Sequence, residues 1–166
     1  GARLQGFAVD VNGNVSTALP VDIQISNNSI AAKPTTLSKL NVNLDARNAL
    51  GNPAAFDITD SSTYQSSTSV PLHDILGGEH VLSVYFVKNS ATQWDMFAAN
   101  DGILISPTAV GSLAFNPDGT LDTTASPQPF SLTVPTTTPL TFDLDMTGTT
   151  ALSKSFGIVN AADNGR

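Results

Sequence analysis

The sequence predicts an all-β fold: an antiparallel β-barrel or sandwich-like domain, with an added β-hairpin arm from a neighbouring β domain. Three observations predict it. Apolar and polar residues alternate with period two in one stretch after another. Turn residues, chiefly Asn-Gly, Gly-Gly, Asp-Gly and Pro, interrupt that alternation about every ten residues. No amphipathic helix longer than two or three turns can be drawn, and no internal repeat is found. The chain has 166 residues, enough for one domain or a domain plus a fragment. A compact fold of about 150 residues buries roughly 68 to 70% of its unfolded surface, so no metal or disulfide is needed to stabilise it.

In chain order, Phe7, Val9 and Val11 alternate into Asn12-Gly13-Asn14, and Val21, Ile23 and Ile25 alternate again after Pro20, which predicts a hairpin arm. A polar hinge, Ser26-Asn27-Asn28-Ser29, and then Lys33-Pro34-Thr35-Thr36 follow. Because X-Pro favours extended chain and the composition shifts there, a domain boundary is expected near Ala31 or Ala32. Leu40, Val42 and Leu44 alternate with Asn41, Asn43 and Asp45 in a strand expected to face solvent on its Asn side.

The stretch 64–98 predicts a three-stranded meander. Tyr64, Thr68, Val70 and Leu72 share one parity, and Pro71 marks an edge or a bulge. After the Gly77-Gly78 turn, Leu82, Val84 and Phe86 form the core face of the best-buried strand. Trp94 and Met96 lie on one side of the third strand and Phe97 on the other. Farther on, Asn100-Asp101-Gly102 and Asn116-Pro117-Asp118-Gly119 read as turns. Phe130, Leu132 and Val134 and then Leu140, Phe142, Leu144 and Met146 read as strands, whereas 153–166 shows no clear pattern.

Charged residues make up 13% of the chain, about half the usual share, and the net charge is −7. Such a surface is poor for nucleic acid, and no partner of that kind is expected. The absence of Cys excludes disulfides and zinc-thiolate sites, and suits either a reducing compartment or a protein exported unfolded. No signal-peptide or membrane-spanning run is read in the sequence. It opens on Gly1-Ala2-Arg3 without an initiator Met, the pattern expected of an excised fragment.

Few residues suggest chemistry. His73-Asp74 and Glu79-His80 bring two imidazoles and two carboxylates together if the chain turns back between them, a set that suits a divalent metal. Their spacing matches no metal-ligand pattern, so the plainer reading is a polar hairpin mouth. Asp10-Val11-Asn12-Gly13-Asn14 opens like a calcium loop, but its Gly comes two positions early and no acidic residue closes it. Asp57 with Asp60, and Asp143 with Asp145, could form a glycosidase pair, which needs carboxyl groups about 5 to 9 Å apart across a cleft. A solvated edge that resists aggregation explains Asp143 and Asp145 better. Trp94, Tyr64 and Tyr85 could make a sugar-stacking platform, but their place in strong strands makes them core or half-core residues. There is no nucleophile elbow, phosphate loop or Cys nucleophile. No catalytic, cofactor-binding or metal residue is expected, and no enzyme activity. The alternative to a structural role is a cell-surface adhesin or carbohydrate-binding β-module.

Several blocks together resemble the bacterial flagellar hook protein family. They are Leu4-Gln5-Gly6-Phe7 with the Asn-Gly turn, LNVNL at 40–44, Ser67-Thr68-Ser69-Val70, HVLSVYFVK at 80–88 with Gln93-Trp94, and LAFNPDGTL at 113–121. Leu72 stands where that family often has Tyr before Asp, and Ile75 and Gly77-Gly78 replace a more polar turn. The resemblance implies a structural subunit of a self-assembling flexible tube, the universal joint that transmits torque from rod to filament. It implies other copies of the same protein as partners, together with rod, cap and junction proteins. It also implies an extracellular location reached through the flagellar secretion channel. In that family helical termini build the inner tube, and an outer β domain is inserted into a middle one. Residues 1–31 would then be a hairpin arm of the middle domain, 32–163 the inserted outer β domain, and 164–166 the return toward the middle domain. Lacking the helical termini, the isolated chain is expected to be a monomer.

Overall fold

A computed structural model describes residues 5–6, 12–14, 21–22 and 31–165. None of the described residues is α-helical. The chain divides into two compact units, Gly1–Ala31 and Ala32–Arg166.

In the first unit β1 (Gln5–Gly6) pairs antiparallel with β2 (Val21–Asp22), with Gln5 opposite Asp22 and Gly6 opposite Val21. Between them Gly13 takes a φ of 83°, a conformation open to a residue without Cβ. Phe7, Val9, Val11, Ile23 and Ile25, on which the arm's alternation rests, lie outside the described residues, as does the 26–29 hinge.

The second unit is a β-sandwich. Its strands are β3 (Leu37–Asn43), β4 (Ser66–His73), β5 (Glu79–Lys88), β6 (Gln93–Asn100), β7 (Ile103–Leu104), β8 (Gly111–Ala114), β9 (Phe130–Val134), β10 (Leu140–Asp145) and β11 (Gly157–Asp163). One sheet runs β11-β3-β10-β9; the other runs β4-β5-β6-β7, with β8 also paired to β6. The inward residues of both sheets make one core. Leu40, Val42 and Leu44 meet Leu82, Val84 and Phe86, with Trp94 and Met96 beside them and Leu140, Phe142, Leu144 and Met146 opposite. The expected meander is β4, β5 and β6, and Pro71 sits on β4, an edge strand of its sheet. The 100–102 turn has positive φ at both Asp101 (49°) and Gly102 (82°), the geometry that suits the twist of a tight hairpin.

Four details differ from the local pattern. The pairing of β3 with β10 is parallel, while the other described ladders are antiparallel. The Asn side of β3 does not face solvent throughout, because Asn43 is only 2% exposed. Its Nδ2 donates to Lys154 O at 3.0 Å, and its Oδ1 accepts from Thr150 Oγ1 at 2.8 Å and from Leu152 N at 3.1 Å, so the segment after β10 covers it. The undecided segment 153–166 contains a strand, β11, which pairs with β3 and shifts register between Ile158 and Asn160. Finally, Tyr64 precedes β4 and joins the opposite face from the one its parity suggests, packing on Phe56 and Tyr85.

Candidate functional site

The mouth of the β4–β5 hairpin is built by Asp74. Its Oδ1 accepts the backbone N–H groups of Leu76 (2.9 Å) and Gly78 (2.7 Å), and Gly77 takes a φ of 83°. The ladder sets His73 opposite Glu79 and Leu72 opposite His80. Neighbouring residues on a strand point to opposite faces, so the two imidazoles leave the hairpin on different sides. His80 lies between Asp101 Oδ2 (2.7 Å from Nδ1) and Asp74 Oδ2 (3.1 Å from Nε2). His73 lies between Asp163 Oδ2 (3.0 Å from Nδ1) and Glu79 Oε1 (3.5 Å from Nε2). The four residues therefore form two separate histidine–carboxylate clusters. Among the described residues no group of three or more His, Asp or Glu is placed to hold a metal.

Each histidine faces two carboxylates, which favours the imidazolium because it alone donates from both nitrogens. The bond to Asp101, then that to Asp74, raises the pKa of His80; the bond to Asp163 chiefly raises that of His73. In return, the bond to His80 holds Asp74 and Asp101 below the usual carboxylate value. A raised histidine pKa contributes stability that is fully present below about 6.5, its unfolded value, and is lost as pH rises through the folded value. The depressed aspartates contribute stability present above about 3.9 that is lost as pH falls through their folded values. Thermal melts are therefore expected to peak in mildly acid buffer and to decline toward neutral and alkaline pH. The double variant His73→Gln/His80→Gln should lose that decline. A wild-type melting temperature that is flat from pH 6 to 9 would show that the clusters contribute nothing to stability.

The second cluster also ties the start of the sandwich unit, before β3, to the end of β11. Thr35 Oγ1 donates to Asp163 Oδ2 (3.0 Å) and accepts from His73 N (2.9 Å), while Thr35 N donates to His73 O (2.8 Å). Asn164 Oδ1 accepts from Thr36 N (2.8 Å) and Leu37 N (2.9 Å), and its Nδ2 donates to Thr36 Oγ1 (2.7 Å). A β-carbon at Gly165 would fall 2.7 Å from Thr35 N and 2.9 Å from its Cα, so only glycine fits there. Nothing in the local sequence marks Thr35, Asp101, Asp163 or Asn164 as partners, because each pairing joins different elements, from 21 residues apart for His80 and Asp101 to 128 for Thr36 and Asn164.

The remaining candidates act locally. Trp94 is fully buried and offers no stacking surface. Tyr64 and Tyr85 pack edge to face at 4.9 Å, and Phe56 stacks on Phe97 at 4.1 Å, so these rings roof the outer side of their sheet. Lys88 stands opposite Trp94 in the β5–β6 ladder, 6% exposed, with Nζ 5.9 Å from the ring centroid. That Nζ donates to Ala46 O (2.6 Å) and Asn48 O (2.9 Å), anchoring the loop after β3. Asp57 and Asp60 cap their own turns through Thr59 N (2.8 Å) and Ser62 N (2.9 Å). Asp145 accepts from Thr147 N (2.9 Å) and stands opposite Lys39 in the ladder, while Asp143 stands opposite Leu37. Asp10 and Val11 lie outside the described residues, and Asn12-Gly13-Asn14 is a turn.

Residues 43–166 match the family model described as the flagellar basal body protein FlaE D2 domain. The chain belongs to this family. The flagellar hook protein FlgE of Salmonella typhimurium strain LT2 is 29% identical over 130 residues, which is 76% of this chain and 32% of that protein. FlgE of Escherichia coli strain K12 is 35% identical over 106 residues, 63% of this chain and 26% of that protein. The chain thus spans 32% of the length of the first of these curated relatives. The FlaE D2 match opens at the end of β3 and runs through β11, so it takes in both histidine clusters and the Lys88–Trp94 contact.

Proposed function

We propose that this chain is the surface-exposed part of a structural, non-enzymatic subunit of the bacterial flagellar hook. The observation that carries this reading is the FlaE D2 match over 43–166, joined to relatives that are themselves hook proteins. The hook subunit assembles with other copies into a flexible tube that transmits torque from rod to filament, and meets rod, cap and junction proteins at the tube's ends. It lies outside the cell and reaches that place through the flagellar secretion channel. The absence of Cys supports passage as an unfolded chain that does not cross-link on the way. On this reading 1–31 is a hairpin arm of a middle domain, 32–163 the outer domain inserted in it, and 164–166 the return.

The surface chemistry supports a joint. Exposed positions on β4 are Ser67, Ser69 and Pro71, and Thr133 meets Thr141 across the β9–β10 ladder at 3.0 Å with both residues exposed. Hydroxyl surfaces with bridging water exchange partners at low cost, whereas large apolar interlocks would freeze a tube that must bend as it turns. Such contacts are individually weak and form because the tube holds subunits at high local concentration. Two measurements test the reading. Antibody raised against this chain should decorate the curved hook segment of purified hook–basal bodies; labelling of the filament or cell surface without the hook would overturn the assignment. Sedimentation at high micromolar concentration should show one species near 17.2 kDa, and a tight dimer or a filament would overturn the weak-contact account.

A further inference from the structure

β11 is held in place with almost no apolar burial. It is an edge strand paired only with β3, and its residues 158–162 are all exposed, Ile158 by 53% and Val159 by 71%. None of its side chains belongs to the core shared by the two sheets. By contrast β4 and β9, also at sheet edges, bury Val70 and Leu72, and Leu132 and Val134. The register shift leaves Val159 without a partner in the ladder. Ladder bonds that break in water are replaced by bonds to water, so each contributes little net, and freeing the strand's seven residues returns their backbone entropy. The strand therefore depends on how its two ends are fixed.

One end is fixed by packing. Phe156, just before the strand, packs against the core with its ring 6.3 Å from that of Phe86. The other end is fixed by polar bonds that reach the opposite sheet. Asp163 Oδ2 lies 3.0 Å from Nδ1 of His73, on β4, and accepts from Thr35 Oγ1 at 3.0 Å. Asp163 from β11 and Glu79 from β5 are the charged groups that face His73, and Thr35 adds a hydroxyl and its backbone. One of these ties depends on a proton that titrates near neutrality. The imidazolium donates to both carboxylates, whereas neutral imidazole keeps a single N–H and no charge.

We propose that β11 is a releasable strap, anchored at Phe156 and clasped at Asp163 by protonated His73. Opening the clasp lets 157–165 peel from β3 while the rest of the sandwich stays folded. β3 keeps its ladder with β10, and Leu40 and Val42 keep their place in the core. The seven freed residues span up to about 23 Å when extended. In a hook subunit that slack would let the segment leaving the sandwich lengthen under load without unfolding the domain. Only this use of the strap rests on the hook reading.

The test is native-state hydrogen exchange of the intact chain by NMR, each rate expressed as protection relative to an unstructured peptide at the same pH. Amides of β11 are expected to be at least about tenfold less protected than those of the β5–β6 ladder, which open only with the whole domain. Val134→Ala, on the far edge of the same sheet, should lower β5–β6 protection at least about fivefold and leave that of β11 unchanged, because the core survives the strap's release. Between about pH 6 and about pH 8.5, β11 protection should fall about two- to fivefold as His73 loses its proton. His73→Gln should show the lower protection already at the acid end and lose the pH dependence; His80→Gln should keep it. Equal protection of β11 and the β5–β6 ladder, a Val134→Ala effect shared by both, or a pH dependence that survives His73→Gln would each overturn the proposal. None of these readouts depends on the hook assignment, so the strap can fail while that assignment stands.

Discussion

Truncating Phe86 to Ala is expected to lower the free energy of unfolding by about 3 to 5 kcal/mol, the range for removing a fully buried ring. Phe86 is 0% exposed and lies on β5, which pairs with β4 on one side and β6 on the other. It stands opposite Met96 across one ladder and Ser66 across the other, and its ring lies 6.3 Å from that of Phe156. Strands on both sides hold the backbone in place, so the cavity cannot collapse and the cost should fall toward the upper end of the range. Urea melts should show a lower midpoint with an unchanged slope. A loss under about 1 kcal/mol would mean that the side chain does not belong to the core.

Replacing Asn43 with Leu is expected to destabilise the domain by about 2 to 4 kcal/mol, because each buried polar group left without a partner costs about 1 to 3 kcal/mol. The change keeps the size of the side chain but strands Leu152 N–H, Thr150 Oγ1 and the Lys154 carbonyl. Asn41 is the internal comparison. It is half-buried on the same strand and donates only to Thr147 O, so its replacement by Leu should cost less than about 1 kcal/mol. Equal losses at the two positions would show that the amide at 43 does not organise the covering segment.

These two residues also mark how far the sequence could be read. Phe86 was legible because burial on one face of a strand writes itself into the local pattern, as at Leu40 to Leu44 and Leu140 to Met146. Asn43 follows the same pattern and is buried all the same, since the segment that covers it comes more than a hundred residues later. β11 was hidden for two reasons. It is an edge strand whose residues 158–162 are all exposed, and its register shift breaks whatever alternation remained. The parallel pairing of β3 with β10 leaves no trace in either strand. At the hairpin mouth four polar residues stood out, but whether two imidazoles share a centre depends on strand parity and on Asp101 and Asp163.

The ties at Thr35, Thr36 and Asn164 join residues 128 apart in sequence. A segment whose two ends are bonded to each other behaves as a cassette. A host loop that accepts it has to bridge only the short gap between those ends, and the closure entropy it loses is set by that gap rather than by the length of the insert. Grafted between positions 33 and 165 into an exposed loop of an unrelated protein, the sandwich should keep its own melting transition and leave that of its host in place.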